Sequence, residues 1–203
     1  MQGKTFRLMT VGRICVFCGS NFGARPVYAE VARGLGALLA ARGIGLVYGG
    51  AKLGLMGAIA DAALAVGGEV IGVMPESLVP KEIAHSGLTE LRIVGSMHER
   101  KAMMADLCDG FIALPGGFGT FEELCEVLTW SQLGLHRKPC GILNAGGYFD
   151  SLLQLFDHAV EERFLHPAHR AMVLTDDDAG ALIDRLMTYQ PPRVAKWISE
   201  EAR

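Results

Sequence analysis

The sequence predicts a doubly wound α/β fold, with one parallel sheet of about seven strands and helices on both faces of that sheet. Two observations lead to this prediction. Short apolar segments alternate with longer helix-like segments along the chain, and the apolar segments are continuous rather than alternating with polar residues. Strands that are covered by helices on both faces have this continuous pattern. Repeated strand–helix units of this kind build a single Rossmann-like domain.

Each strand is predicted from a short apolar run next to a turn-forming residue, and each helix from a longer run with apolar residues at helical spacing. The predicted strands span residues 13–20, 44–50, 69–75, 90–96, 110–115, 139–144 and 171–176. The predicted helices span residues 26–42, 55–66, 97–108, 121–133, 148–163 and 179–189. Two consecutive prolines at 191 and 192 end the last helix. We therefore expect an extension over residues 1–12, one domain over 13–190 and a tail over 191–203.

The composition argues against nucleic-acid and membrane partners. The 203 residues carry a formal net charge of −3 and no block of basic residues, whereas nucleic-acid-binding domains display a basic patch. The most apolar segment, residues 53–74, contains Asp61 and is broken by Gly67 and Gly68, so it predicts a buried helix and a buried strand rather than a membrane span. The first residues lack the apolar run of a signal peptide. These features predict a cytoplasmic protein.

The cysteines and histidines predict no metal or redox site. The chain has five cysteines, which we expect to be reduced thiols in the cytoplasm. Cys15 and Cys18 form a C-x-x-C motif inside a predicted strand, whereas redox pairs of this type lie at helix N-termini. Strand alternation places such side chains on opposite faces, which favours buried apolar roles over a redox or metal role. His166 and His169 are interrupted by a proline that breaks any helix aligning them.

Glycine-rich turns follow several of the predicted strands. They span residues 18–23, 48–54, 115–119 and 144–147. In an open parallel sheet such turns gather at the carboxyl ends of the strands, and ligands bind where the strand order reverses. We therefore expect several loops rich in accessible backbone N–H groups to surround one crevice.

The segment "ALPGGFGTFEEL", residues 113–124, resembles a phosphate cradle between a strand and a helix. Gly116, Gly117 and Gly119 let backbone N–H groups approach an anion closely. The segment lacks the Lys and Ser or Thr of a Walker loop, and Glu122 replaces the third glycine of a dinucleotide fingerprint. A single phosphate is therefore the predicted ligand. The alternative is a T-x-x-E capping box, in which Thr120 and its partner three residues later only stabilise the helix.

Two cations lie where a helix dipole disfavours them. Arg100 and Lys101 fall in the early turns of the predicted helix 97–108, so an anion is expected to compensate them. Arg100 could bind a phosphate with two donors or orient a carboxylate such as Glu123. The alternative is a surface basic pair that forms ion pairs with Asp106 or Glu99.

The motifs "PGGFGTFEE" and "MHERK", residues 115–123 and 97–101, together resemble the LOG family. Its members are the cytokinin riboside 5′-monophosphate phosphoribohydrolases, which were long mislabelled as lysine decarboxylases. The family pattern PGGxGTxxE is complete here, and the resemblance extends to about Tyr148 and covers well over half of the chain. One departure is visible, because Ala51 follows Gly49 and Gly50 where relatives often have a third glycine.

The resemblance implies an enzyme without a cofactor that hydrolyses the N-glycosidic bond of N6-modified adenosine 5′-monophosphates. The products would be the free base, an active cytokinin, and ribose 5-phosphate. It also implies a cytoplasmic homodimer in which Arg100 and Glu123 are catalytic. The implied substrate-binding residues are Ser20, Gly49, Gly50, Glu82, Met97, Arg100, Lys101, Gly116, Gly117, Phe118, Gly119, Thr120, Phe121, Glu122, Glu123 and Thr129.

Elementary chemistry agrees with these roles. Cleavage at C1′ generates an oxocarbenium-like sugar, and the Glu123 carboxylate could stabilise that cation and take a proton from the attacking water. Glu122 points about 100° away on the helix and should matter less. Three alternatives remain open at this stage: a pyridoxal-phosphate decarboxylase with Lys101 as the Schiff-base lysine, a non-catalytic nucleotide or cofactor binder, and a general AMP nucleosidase.

Overall fold

A computed structural model describes residues 11–79 and 84–192. Its seven strands form one parallel sheet in the order β4-β3-β2-β1-β5-β6-β7. The strands are β1 (Arg13–Phe17), β2 (Gly45–Tyr48), β3 (Val70–Pro75), β4 (Glu90–Val94), β5 (Gly110–Ala113), β6 (Cys140–Leu143) and β7 (Val173–Asp176). The helices are α1 (Pro26–Ala41), α2 (Gly54–Ala65), α3 (Met97–Asp106), α4 (Phe118–Gln132), α5 (Asp150–Glu161), α6 (Pro167–Arg170) and α7 (Ala179–Met187). Glu82, most of the predicted extension and most of the predicted tail lie outside the described residues.

The predicted fold class is confirmed. Helices α1, α2 and α7 cover one face of the sheet around a core that includes Leu35, Ile59 and Leu182. Helices α3 and α4 cover the other face, where Met104 and Val127 pack against the strands. Because every central strand is covered on both sides, its residues are buried throughout, which explains the continuous apolar runs in the sequence.

Several predicted element ends differ from the structure by up to three residues: β1, for example, ends at Phe17 rather than at residue 20, and α5 begins at Asp150 rather than at residue 148. Helix α4 begins at Phe118, three residues earlier than predicted, so Gly119 and Thr120 lie inside its first turn. Glycine is a poor helix former in general, but near a terminus its cost is small when the backbone can still adopt helical angles. The short helix α6 was not predicted, because its four residues are too few to show helical spacing of apolar residues.

Both residues of the C-x-x-C motif are buried on opposite faces of the sheet. Cys15 packs with the α3 and α4 core, and Cys18 packs with the α1 and α2 core. All five cysteines have free thiols. The predicted role of Cys15 and Cys18 as buried apolar residues is therefore confirmed.

The apolar segment 53–74 forms the buried helix α2 and the buried strand β3, as predicted. Asp61 on α2 accepts a hydrogen bond from Nε2 of the buried His85, at 2.9 Å. None of the helices within residues 11–79 and 84–192 is long and apolar enough to cross a bilayer.

The strand order reverses next to β1. From β1 the chain proceeds outward through β2, β3 and β4, and it then returns to β5 on the other side of β1. The loops that follow β1 and β5 meet at this point, where the Gly19 N–H donates to the Pro115 carbonyl at 3.0 Å. Ligand crevices of open α/β sheets form at such a switch point.

Candidate active site

The N-terminus of α4 has the geometry of an anion site. Gly117 is the N-cap and has an extended backbone, and no side chain among the described residues caps it. The first N–H bonded within the helix is that of Phe121, which donates to the Gly117 carbonyl at 3.1 Å. The three preceding N–H groups therefore have no acceptor in the helix, and the helix dipole favours an anion in front of them.

The capping-box interpretation of this segment is wrong. Thr120 lies three residues after the N-cap Gly117 instead of occupying that position. Its side chain is buried against Gly116, where an added Cβ would lie 2.1 Å from the Thr120 hydroxyl oxygen. Gly116 is thus required by the close packing of the loop onto the first turn of α4.

Arg100 connects α3 to both the sheet and α4. Its Nε donates to the Val73 carbonyl at 3.0 Å, and its Nη1 donates to Oε1 of Glu123 at 3.3 Å. The Met97 sulfur lies 3.4 Å from the same Nη1. Arg100 is only 9% exposed, so the interpretation of a surface basic pair is wrong for this residue. The structure instead places its guanidinium beside a carboxylate.

A capping motif that was not predicted from the sequence fixes the start of α3. The Ser96 hydroxyl accepts from the Glu99 N–H at 3.1 Å, and a carboxylate oxygen of Glu99 accepts from the Gly95 N–H at 2.8 Å. The S-x-x-E spacing is visible in the sequence and is a known signal for a helix start. It sets the position from which Arg100, one turn later, reaches the Val73 carbonyl.

Glu123 is a buried carboxyl group with an altered acidity. Burial raises the pKa of Glu123 to about 7, although the neighbouring Arg100 guanidinium opposes the shift. Glu122 and Glu126 raise this pKa further, whereas Lys101 lowers it. A carboxyl group with a pKa near 7 exchanges protons readily at neutral pH, as a general base must.

Lys101 links α3 to α4 through two ion pairs. Its Nζ lies 2.5 Å from Oε1 of Glu122 and 3.0 Å from Oε1 of Glu126. These partners differ from the Asp106 and Glu99 that the surface-pair interpretation named, so that interpretation is wrong here too. Burial lowers the pKa of Lys101, but the hydrogen bonds to Glu122 and Glu126 outweigh burial and leave the pKa raised.

The other predicted site residues lie on several elements and differ in burial. Gly49 is buried directly against the Arg100 guanidinium. Met97 and Phe118 are exposed at the first turns of α3 and α4, with Phe118 at 92% exposure.

The remaining predicted site residues lie in other loops or further along α4. Ser20 is exposed after β1, and Gly50 follows Gly49 with a positive φ. Phe121 stacks on the ring of Tyr148. Thr129 lies nearly two turns beyond Glu123, and its hydroxyl donates to the Cys125 carbonyl of the same helix.

We expect Gly49→Ala to lower activity through Arg100. An added Cβ would lie 2.2 Å from an Arg100 Nη atom, and Nε of that arginine is tied to Val73, so the guanidinium must move. A displacement of about 1 Å in a catalytic group costs roughly 10²-fold in rate, and we expect a loss of this order in kcat. The control is Gly34→Ala on α1, where an added Cβ meets nothing within 4 Å. Equal activity of the two variants would contradict the proposed contact.

Comparisons with known proteins show the family to which this chain belongs. The sequence profile of a family described as "Possible lysine decarboxylase" matches residues 56–186. A cytokinin riboside 5′-monophosphate phosphoribohydrolase of Arabidopsis thaliana is 50% identical over 179 residues, which cover 88% of this chain and 82% of the relative. A probable enzyme of the same name from Oryza sativa subsp. japonica is 51% identical over 88% of this chain and 79% of the relative. The chain belongs to the LOG family.

Solved structures show the fold of this LOG-family chain in more distant proteins. The molybdenum cofactor binding protein of Rippkaea orientalis has a TM-score of 0.65 and 23% identity, covering 87% of this chain and 95% of that protein. The molybdenum cofactor carrier protein of Chlamydomonas reinhardtii also has a TM-score of 0.65, with 21% identity over 87% and 98% of the two chains. At these identities the likeness extends to the fold alone.

The decarboxylase description of the LOG family does not fit the lysine at this site. A Schiff-base lysine needs a lowered pKa so that its neutral amine can attack a carbonyl. The pKa of Lys101 is raised and its ammonium is held by Glu122 and Glu126. Pyridoxal phosphate chemistry through Lys101 is therefore disfavoured by the surroundings of that residue. Within residues 11–79 and 84–192, no three His, Cys, Asp or Glu side chains are placed to hold a metal ion.

Proposed function

We propose that this protein hydrolyses the N-glycosidic bond of N6-modified adenosine 5′-monophosphates, that is, of cytokinin riboside 5′-monophosphates. The products are the free base and ribose 5-phosphate. The observation that supports this most is the buried ion pair between Glu123, in the second turn of α4, and Arg100 of α3, near the α4 N-terminus that is left open for an anion. The relatives at about 50% identity bear the name of this activity.

The phosphate of the substrate binds at the N-terminus of α4 in this proposal. Backbone N–H groups of Phe118, Gly119 and Thr120 are the donors that lack acceptors within the helix. A phosphate held there fixes the far end of the nucleotide, and its binding energy orients the sugar towards Glu123. The substrate is thus defined as a nucleotide rather than a nucleoside.

Glu123 acts at C1′ in this proposal. As the C1′–N9 bond breaks, positive charge develops on the sugar, and the carboxylate stabilises it. The bonding electrons leave with N9, and the base takes up a proton from solvent to become the free purine. Water forms the new bond to C1′ and transfers a proton to Glu123. Arg100 holds the carboxylate in place through its hydrogen bond to Oε1, and the Val73 carbonyl in turn fixes the arginine. Other residues remain predicted contacts of the substrate: Ser20, Gly49, Gly50, Glu82, Met97, Lys101, Gly116, Gly117, Phe121, Glu122 and Thr129.

We expect the activity to rise with pH through about 7, the value to which burial raises the pKa of Glu123. The sign follows from the role of Glu123, because only its ionised form can stabilise the cation and accept a proton. Glu122→Gln removes a charge that raises this pKa, so the acid limb should shift to lower pH. Lys101→Met removes a charge that lowers it, so the limb should shift to higher pH. Each shift should be below about one unit. Measurement of kcat/KM between about pH 5 and about pH 9 checks both shifts, because the pH dependence of kcat/KM reports the pKa values of the free enzyme.

The proposal is tested by measuring base release from purified protein by chromatography. Three substrates are compared: AMP, isopentenyladenosine monophosphate and isopentenyladenosine. Release from the prenylated monophosphate, with little from the nucleoside, is the expected result. Equal turnover of AMP would favour a general AMP nucleosidase, and binding of nucleotides without release would favour a non-catalytic binder.

We also propose a homodimeric assembly, a cytoplasmic location and the domain boundaries predicted from the sequence. The resemblance to the LOG family implies a cytoplasmic homodimer with one catalytic domain over residues 13–190, flanked by an extension over 1–12 and a tail over 191–203. Light scattering of the purified chain measures the mass of the assembly. A strictly monomeric and active protein would contradict the dimer.

A further inference from the structure

A tyrosine on the far side of the switch point contacts the glycine loop. Tyr148 follows β6 and a short 3-10 helix, Ala145–Gly147. Its hydroxyl donates a hydrogen bond to the Gly116 carbonyl at 2.5 Å. The loop after β6 thus reaches the loop after β5, although neither the sequence motif nor the family resemblance assigned a role to this tyrosine.

The hydrogen bond fixes the plane of one particular peptide group. The Gly116 carbonyl belongs to the same planar peptide as the Gly117 N–H, and in a trans peptide these two groups point in opposite directions. Every described peptide bond of the chain is trans. While Tyr148 holds the carbonyl on its own side, the N–H of Gly117 must point away from it. Gly117 is the N-cap of α4, so its N–H lies next to the open anion site.

Glycine makes such a restraint necessary. Gly116 and Gly117 lack Cβ atoms, so their shared peptide can rotate at little steric cost. On the other side of the loop, the Pro115 carbonyl accepts from Gly19 at 3.0 Å. That bond fixes the preceding peptide and leaves the Gly116–Gly117 peptide to be fixed by Tyr148.

The tyrosine ring is itself held in place. It packs edge-on against Tyr28 and Phe149, with ring centroids 5.6 and 5.0 Å away, and it stacks on Phe121 at 6.4 Å. The turn that carries it is anchored by Arg25, whose guanidinium donates to the Gly146 carbonyl at 2.7 Å. The hydroxyl is therefore presented to Gly116 by a rigid aromatic cluster.

We propose that Tyr148 is a positioning residue that orients the Gly117 N–H as an additional donor to the phosphate of the substrate. This inference rests on the proposed function for the identity of the anion. Tyr148 acts through the loop and not on the reacting atoms, so its removal should weaken binding of the phosphate and leave the chemical step nearly unchanged.

The test is the Tyr148→Phe variant, which removes one oxygen atom and keeps the aromatic packing. The matched control is Tyr28→Phe in the same cluster. We expect KM for isopentenyladenosine monophosphate and the inhibition constant of ribose 5-phosphate to rise at least about 10-fold, the lower end of the range for loss of one hydrogen bond to a charged group. The value of kcat and the inhibition constant of adenine should stay near those of the wild type. Tyr28→Phe should change none of these quantities.

Two results would overturn the inference. One is an unchanged inhibition constant for ribose 5-phosphate, and the other is an equal loss for ribose 5-phosphate and adenine, which would indicate a general structural defect. If the wild type releases no base, the proposed function fails. Calorimetric titration then compares the affinity of the wild type and of Tyr148→Phe for ribose 5-phosphate directly. A wild type that binds no ribose 5-phosphate would overturn both proposals.

Discussion

The Glu123→Gln variant should release base at least about 10³-fold more slowly than the wild type, because the neutral amide can neither stabilise the sugar cation nor accept a proton. Its affinity for the monophosphate should be nearly unchanged, since the donors that we propose for the phosphate at the N-terminus of α4 are backbone N–H groups. Chromatographic assay of base release gives kcat, and calorimetric titration with AMP gives the affinity.

The neighbouring carboxylate supplies the control for that experiment. Glu122→Gln makes the same chemical change one residue earlier, on a side chain that is 55% exposed, whereas the Glu123 side chain is 12% exposed. We expect its activity at pH 8 to stay within a few-fold of the wild type. Similar losses in the two variants would contradict a special role for Glu123, and loss of AMP binding in Glu123→Gln would point to a structural role.

The Arg100→Ala variant should lose about 10²- to 10³-fold in kcat/KM, since it removes both the hydrogen bond to Glu123 and the link to Val73. It should also change the pH profile. The Arg100 guanidinium lowers the pKa of Glu123, so its removal raises that pKa and moves the acid limb of activity to a pH above that of the wild type.

Two further variants separate charge from geometry at this position. Arg100→Lys keeps the positive charge, but a single ammonium cannot reproduce the two directed bonds to Val73 and Glu123. We expect it to retain the acid limb of the wild type while still losing activity. Arg92→Ala is the control, because this arginine is partly exposed on the edge strand β4 and pairs with Glu90. If Arg100→Ala leaves the acid limb unmoved, then Arg100 does not set the acidity of Glu123.

Local patterns were enough to predict the sheet. The seven predicted runs correspond to the seven strands of the sheet. The central strands are continuously apolar because helices cover both of their faces, whereas the edge strand β4 keeps exposed residues such as Glu90. The glycine turns at 115–119 and 48–54 predicted the carboxyl edge of the sheet, because each turn directly follows a strand, β5 and β2 respectively. Where the signal was weaker, as at the start of α4 or in the four-residue α6, the local prediction was wrong or absent.

The sequence also determined which residue types meet at the site. The helix dipole argument singled out Arg100 as a cation that needs an anion, and the glycine loop predicted Glu123 in a first helical turn, although the earlier start of α4 at Phe118 puts Glu123 in the second turn. It could not determine their separation, since α3 and α4 are brought together only by packing on the same face of the sheet. The same is true of the pKa of Glu123, which depends on burial that no local pattern reveals.

Only the tertiary structure assigned partners to Lys101 and Tyr148. Lys101 was expected at the ligand, and the structure pairs its ammonium with Glu122 and Glu126 on α4. Tyr148 was visible only as the residue after a glycine turn, and its bond to Gly116 spans 32 positions of the chain. The sequence by itself determined the fold, the candidate phosphate loop and the candidate catalytic pair, because each has a local signature in residue type and spacing. The long-range hydrogen bonds and burial that tune this site have no such signature, because they arise only when distant segments pack against each other.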